Sequence, residues 1–283
     1  MITALSVCIP EHRKGVMGLA DKLKKDKIEV KICKARGVQI KHITYTSFSG
    51  EIRLDRASKL IGAQRGQILC SEKLVFPLKS GYKRFFSTSF SVRLCTNMAL
   101  SVLQECKCAA SLRVGIYDLR ATACDFLINV LEYCSDVVAV TQNERPYFYV
   151  ADRALDEIGA TALITKNITE LSECDLIIAP SVIDVSLPLK ENAIVLTTKH
   201  PKCKTEGNVY YKYNFSMPNG FAGIKPKELD EEYFCSALYT LSAQYELGSI
   251  VPLSCRNENM SQTVKSLCET IEEQKSSKNR DFV

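Results

Sequence analysis

The feature that most constrains the fold is an alternation of apolar, strand-like runs with helix-like segments between residues 112 and 180. Four short runs are rich in β-branched and aliphatic residues: Leu112–Asp118, Val137–Val140, Ala162–Ile164 and Leu176–Pro180. Segments of helical period separate them. Because parallel strands need a crossover helix between them, this spacing predicts βαβ units and a parallel sheet.

The turn after the first run lacks the glycines of a dinucleotide-binding site. In such a site the first strand leads into a G-x-G-x-x-G turn, whose glycines let the backbone approach a pyrophosphate. Here the turn is Asp118–Thr122, which contains no glycine. We predict an α/β fold in which a smaller mixed α/β domain precedes a Rossmann-like parallel-sheet domain, with C-terminal helices that pack back. Because the turn lacks glycine, the sequence leaves open whether either cofactor, NAD or NADP, binds at all.

Charge divides the chain into two parts. Residues 1–110 contain 20 Lys and Arg against 8 Asp and Glu, whereas the remainder is acidic. We predict a basic mixed α/β domain over 1–110, a Rossmann-like domain over 111–225, C-terminal helices over 226–273 and a frayed tail over 274–283. The basic half could bind an anionic ligand, or it could dock on the acidic half of its own chain or of a partner subunit.

The basic half has the mixed pattern of an α/β domain. Strands are predicted at Ile2–Ile9, Ile28–Cys33 and Gln39–Thr46, with a further short strand at Gly66–Cys70. Between the first two strands, a helix is predicted from four apolar residues at helical spacing: Val16, Leu19, Ala20 and Leu23.

Lys79, Lys83 and Arg84 are candidate ligand-binding residues in this half. They are interleaved with aromatic residues around a Ser-Gly turn. Cations mixed with aromatic rings can hold an anion or stack a base. The alternative is an ordinary surface turn anchored in the core by Phe85 and Phe86.

The carboxyl ends of the strands supply the candidate cofactor-binding residues, because ligands of open parallel sheets bind there. These residues are Asp118, Arg120, Thr122, Thr141, Asn143, Pro180 and Ser181. Thr122 and Asp125 fit a capping box at the start of a helix, and Arg120 could reinforce an anion site at that helix terminus. The charges of Asp118 and Asp125 disfavour an adenine dinucleotide in the usual pose and leave a smaller acid or a mononucleotide. No catalytic residue is identified.

Three motifs between residues 112 and 200 occur in a familiar order: Arg113–Ile116, Ala151–Gly159 and Glu173–Pro180. In this order they resemble the nicotinamide-binding domain of the shikimate dehydrogenase and glutamyl-tRNA reductase type. The resemblance implies an NAD or NADP cofactor, closure of the last motif over the nicotinamide ribose, and Thr141 and Asn143 facing the adenosine ribose. The family's glycine-rich turn is absent, and its catalytic lysine–aspartate pair has no match in the amino-terminal half.

The cysteines do not form a recognisable ligand pattern. There are 13, and none belongs to a Cys-x-x-Cys motif, so no metal site is predicted. An odd number without a secretory signal argues against a disulfide framework, and most are expected to be reduced and buried. Cys106 and Cys108 form a Cys-x-Cys pair that is either a metal or redox pair or a polar helix end.

The sequence supports several hypotheses about location and function. No membrane-length apolar run or secretory signal is found, so a cytoplasmic protein is expected. The leading hypothesis is binding of a small anionic or nucleotide-like ligand in an interdomain cleft, including a divergent NAD(P)-dependent oxidoreductase. The alternative is a non-catalytic interaction or regulatory protein on a degenerate Rossmann scaffold. A homodimer is a candidate assembly, and nucleic-acid binding is the least favoured.

Overall fold

The computed structural model describes residues 1–11 and 24–280. The chain forms two compact units. The first comprises Met1–Phe90 and Met217–Leu247, and the second comprises Ser91–Ser216 and Gly248–Val283. The helix predicted over residues 16–23 lies outside the described residues.

The described residues contain twelve strands and six α-helices. The strands are β1 (Ile2–Cys8), β2 (Lys27–Ala35), β3 (Val38–Thr46), β4 (Arg113–Tyr117), β5 (Asp136–Val140), β6 (Leu163–Thr165), β7 (Leu176–Ala179), β8 (Ile194–Thr197), β9 (Asn208–Tyr210), β10 (Lys212–Asn214), β11 (Ser254–Arg256) and β12 (Ser261–Gln262). The helices are α1 (Leu54–Ile61), α2 (Ser89–Glu105), α3 (Phe126–Leu131), α4 (Glu144–Ile158), α5 (Glu231–Leu241) and α6 (Val264–Arg280). Within the ranges 1–11 and 24–280, none of the helices has the length and apolar character needed to cross a membrane.

The first unit is built on a three-stranded sheet in the order β1-β3-β2. β1 runs parallel to β3, whereas β2 and β3 form an antiparallel hairpin. The hairpin turn is Arg36–Gly37, and both residues have positive φ, 46° and 77°, as a tight two-residue hairpin turn requires. The three strands predicted in this region are confirmed.

Isolated bridges continue this sheet beyond β1. Leu69 pairs in parallel with Ala4, and Ile68 pairs in parallel with Arg84. The short strand predicted at Gly66–Cys70 is present only as these bridges. As a result, the carboxyl ends of β1 and of the bridged segment point towards the same edge of the sheet.

The second unit contains a six-stranded sheet in which all neighbouring strands are parallel, in the order β6-β5-β4-β7-β8-β9. Counted from β4, this order is 3-2-1-4-5-6, the order of the doubly wound dinucleotide-binding fold. The predicted Rossmann-like sheet is therefore confirmed. β7 and β8 are buried along their whole length, which agrees with their continuous apolar runs, because both faces of a parallel sheet are covered.

The C-terminal helices pack back on the chain, as predicted. α5 lies in the first unit, where Phe234 and Leu238 are fully buried. α6 lies in the second unit, where it buries Leu267 and Ile271. It continues to Arg280, into the segment 274–283 for which a frayed tail is predicted.

A buried carboxylate joins α6 to the amino end of β7. Asp175 lies 2.5 Å from the Nζ atom of Lys190 and 2.6 Å from that of Lys275, and it accepts the backbone N–H of Arg113 at 3.0 Å. Only 11% of the Asp175 side chain is exposed. Burial by itself raises the pKa of Asp175. The hydrogen bonds from the two lysines lower it by more than burial raises it, so the net pKa lies below its usual value.

Candidate functional site

The candidate site lies in the second unit, at the carboxyl ends of the parallel strands. β4 and β7 are neighbours where the strand order reverses, and Asp118 and Pro180–Ser181 follow directly after them. In folds of this type, ligands bind between these two loops. The contacts between the loops therefore determine whether a ligand can enter.

The Asp118 side chain is completely buried and accepts four hydrogen bonds. Its donors are the backbone N–H of Ala123 at 2.8 Å and the hydroxyls of Thr122 at 3.1 Å, Ser181 at 3.2 Å and Tyr147 at 3.2 Å. A buried carboxylate is stable only when hydrogen bonds replace the water that it has lost. Asp118 is therefore the centre of a closed polar network.

Ser181 joins the two loops directly. Its hydroxyl donates to Asp118, and its oxygen accepts the backbone N–H of Leu119 at 3.1 Å. The loop after β7 is thus bonded to the loop after β4 at the place where a bound dinucleotide would separate them. Of the predicted cofactor-binding residues, the structure brings Asp118, Thr122 and Ser181 together. They form hydrogen bonds with one another, so that each already has a partner within the protein.

The predicted capping box at Thr122–Asp125 is wrong. Thr122 donates its hydroxyl proton to Asp118, and in this fully described stretch Asp125 makes no side-chain cap hydrogen bond. α3 begins only at Phe126. The reason is that the Asp118 carboxylate is a stronger acceptor than a hydroxyl, and it holds the Thr122 hydroxyl and the Ala123 N–H within its own network.

Tyr147 is a site residue that sequence reasoning missed. It lies on α4 and is fully buried. Burial and the nearby Asp118 carboxylate hold the pKa of Tyr147 well above its usual value, so the phenol stays protonated and donates to Asp118. In the sequence, the helical period marks this position only as an apolar one, and no pattern links it to a strand end 29 residues earlier.

The other predicted cofactor-binding residues are separate from this network. Thr141 is buried, and its hydroxyl oxygen accepts the backbone N–H of Asn143 at 3.1 Å, so the pair forms a local turn before α4. Pro180 is buried, and its carbonyl accepts the Thr198 hydroxyl at 3.3 Å. Arg120 is exposed and makes no hydrogen bond or ion pair with another described residue.

Lys79, Lys83 and Arg84 belong to the first unit. Lys79 and Lys83 are exposed, and Lys79 has a positive φ of 65° in the turn. Arg84 is half-buried: its guanidinium lies 4.0 Å from the ring centroid of Tyr233, and its Nε donates to the Cys70 carbonyl at 3.0 Å. Arg84 therefore has a packing role in this unit.

The cysteines are all free thiols. The Sγ atoms of Cys106 and Cys108 lie 3.4 Å apart at the end of α2. Burial raises the pKa of Cys108 to about 12, which disfavours the thiolate that redox exchange or metal binding requires. In the part of the chain that the structure describes, no three Cys, His, Asp or Glu side chains are grouped as metal ligands.

The turn after β4 adopts a left-handed conformation without a glycine. Ala121 has a φ of 55°, and its N–H donates to the Asp118 carbonyl at 3.1 Å. A residue with a Cβ atom is strained by about 1–2 kcal/mol in this conformation. The turn keeps a backbone shape that suits glycine, although glycine itself is absent.

Ala121→Gly is therefore expected to raise the free energy of unfolding by about 0.5 kcal/mol, because the strain removed exceeds the extra entropy of glycine in the unfolded chain. Urea unfolding measures this. The matched variant Ala123→Gly lies in the same turn at an ordinary φ and should lose about 0.5 kcal/mol. Equal losses in both variants would show that Ala121 is not strained.

Comparisons with known proteins give little beyond this geometry. No protein-family model matches the chain, and no curated protein matches it. Among solved structures, L-tryptophan dehydrogenase from Nostoc punctiforme is 10% identical with a TM-score of 0.36, over 98% of this chain and 82% of that chain. The assignment of a Rossmann-like fold rests on the chain's own strand order.

Proposed function

We propose that this protein is a non-catalytic interaction or regulatory protein that uses its Rossmann-like unit as a scaffold. The observation that carries this proposal is the buried Asp118 carboxylate, which accepts hydrogen bonds from Thr122 and Ala123 in the turn after β4 and from Ser181 and Tyr147 outside it. In a dinucleotide-binding protein the donors of this turn would hold a pyrophosphate. Here a side chain of the protein occupies that role.

Electrostatics argue in the same direction. A phosphate oxygen placed about 4 Å from the Asp118 carboxylate would be repelled by about 4 kcal/mol at the effective dielectric constant of a site near the surface. It would also lack the Ala123 N–H, which is already bonded. Side chains at residues 119–122, rather than glycines, further limit the approach of a pyrophosphate to the backbone.

We expect that NADH, NADPH and AMP will not bind to the 283-residue chain at concentrations up to millimolar. The measurement is a titration followed by the fluorescence of the reduced cofactors, with a thermal-shift assay for AMP. A dinucleotide-dependent dehydrogenase serves as the positive control. Saturable binding at micromolar concentration would contradict the proposal.

The second candidate is a divergent NAD(P)-dependent oxidoreductase, or a binder of another small anionic or nucleotide-like ligand. The strand order 3-2-1-4-5-6 favours it, because this order is shared with dinucleotide-binding folds. In this case the ligand would avoid the Asp118 network, with Thr141 and Asn143 near the ribose, or it would use the exposed Lys79 and Lys83. The same titration separates an NAD(P)-dependent oxidoreductase from the proposed scaffold protein.

A further inference from the structure

A pocket in the first unit lies where the carboxyl ends of β1 and of the bridged segment at Ile68–Leu69 meet. Its volume is about 390 Å³, within the range of about 300–1,000 Å³ typical of small-molecule sites. The carboxyl edge of parallel strands is also the usual ligand position in α/β folds. The greater part of its wall is apolar and is formed by Leu5, Val7, Ile9, Ile52 and Leu74.

One polar wall of the pocket carries a carboxylate that lies near a histidine. Ser6 and Glu228 line the pocket. The Ser6 hydroxyl lies 2.5 Å from Nε2 of His42, and the same nitrogen lies 3.6 Å from Oε1 of Glu228. His42 on β3 therefore lies beside both groups, and Glu228 presents an anion to a ligand.

The pocket also contains a cation. Lys73 lines it together with Ser71, whose hydroxyl oxygen accepts the Lys73 backbone N–H at 3.3 Å. This hydrogen bond fixes the turn that carries Lys73 just after the bridged segment. The lining thus combines one ammonium group, one carboxylate and an aliphatic wall.

We propose that this pocket binds a small zwitterion with an aliphatic body, namely a neutral aliphatic α-amino acid. Lys73 pairs with the ligand carboxylate, Glu228 accepts from the ligand ammonium, and the apolar wall covers the side chain. A ligand with both charges contacts both groups, whereas a ligand with one charge contacts only one of them and gains less. This inference concerns the first unit and does not depend on the proposed role of the second.

The test is isothermal titration calorimetry of the 283-residue chain with L-leucine, isocaproate and isoamylamine. The last two keep the aliphatic body but lack the ammonium and the carboxylate, respectively. L-leucine is expected to bind saturably, and each single-charge analogue to bind roughly tenfold to a hundredfold more weakly. No saturable heat with L-leucine at millimolar concentrations overturns the proposal, and so does isocaproate or isoamylamine binding as tightly as L-leucine.

Two variants assign the charges. Lys73→Met and Glu228→Gln should each weaken L-leucine binding roughly tenfold or more. The matched controls are Lys59→Met and Glu29→Gln, at exposed positions that do not line the pocket. These two variants should bind L-leucine as tightly as the original protein does. Thermal unfolding confirms that all four variants are folded. Unchanged binding in both pocket variants contradicts the proposal.

Discussion

Asp175→Asn is expected to lower the free energy of unfolding by about 3–5 kcal/mol, the largest effect of any single substitution proposed for this chain. Asparagine keeps the shape of the side chain and can still accept the Arg113 N–H. It removes the charge that faces the ammonium groups of Lys190 and Lys275, whose side chains are only 16% and 26% exposed. Two partly buried cations without a counter-ion are costly.

Urea unfolding followed by circular dichroism measures this loss. The matched control is Glu269→Gln, which removes a carboxylate from an exposed pair with Lys265 on the same helix, α6. Exposed pairs of this kind contribute little, so the control should lose less than about 0.5 kcal/mol. Similar losses in the two variants would show that the Asp175 cluster is not a special anchor.

The loss should also depend on pH in a defined direction. The pKa of Asp175 is lowered in the folded state, so the carboxylate stabilises the fold fully above the unfolded-state pKa of about 3.9. This stabilisation disappears as the pH falls through the lower folded-state pKa. The difference between the original protein and Asp175→Asn should therefore be constant near neutral pH and shrink in acid. A difference that grows in acid would contradict this assignment.

Asp118→Ala is expected to lower the free energy of unfolding by about 2–4 kcal/mol. The substitution leaves the Ala123 N–H and the fully buried Tyr147 hydroxyl without their acceptor, and an unsatisfied buried donor costs about 1–3 kcal/mol. The hydroxyls of Thr122 and Ser181 lose the same acceptor but have access to water. The measurement is again urea unfolding.

Asp125→Ala is the matched control, because Asp125 is exposed in the same loop and makes no cap hydrogen bond. It should change stability by less than about 0.5 kcal/mol. A double-mutant cycle of Asp118→Ala with Tyr147→Phe should show a coupling of about 1 kcal/mol. If Asp125→Ala is as costly as Asp118→Ala, the loop is held by a cap and not by the Asp118 network.

The small strands show where sequence patterns become too short to interpret. β9, β10 and β11 have three residues each, and β12 has two. An alternating or continuous apolar pattern needs about four residues before it can be distinguished from chance. None of these four strands is predicted from the sequence. Each of the first four strands of the parallel sheet corresponds to a predicted apolar run, and the three-residue β6 among them is marked by its place in the alternation of strands and helices.

The candidate site was predictable only in part. The sequence correctly locates the carboxyl ends of β4 and β7, and it shows directly that the turn after β4 contains no glycine. The partners of Asp118 are not, because Ser181 and Tyr147 lie 63 and 29 residues away along the chain. The register of β4 beside β7 and the packing of α4 bring them together. The predicted capping box failed for the same reason, since the Thr122 hydroxyl bonds to Asp118, a buried acceptor outside the motif.

The sequence by itself determined the parallel sheet of the second unit, because continuous burial on both faces requires apolar runs that are visible in one dimension. It also determined that the turn after β4 could not be an ordinary glycine-rich phosphate turn. Only the tertiary structure decided what fills that turn, and only it placed Ser6, His42 and Glu228 beside one pocket. Contacts between distant residues depend on strand order and register, which local periodicity does not encode.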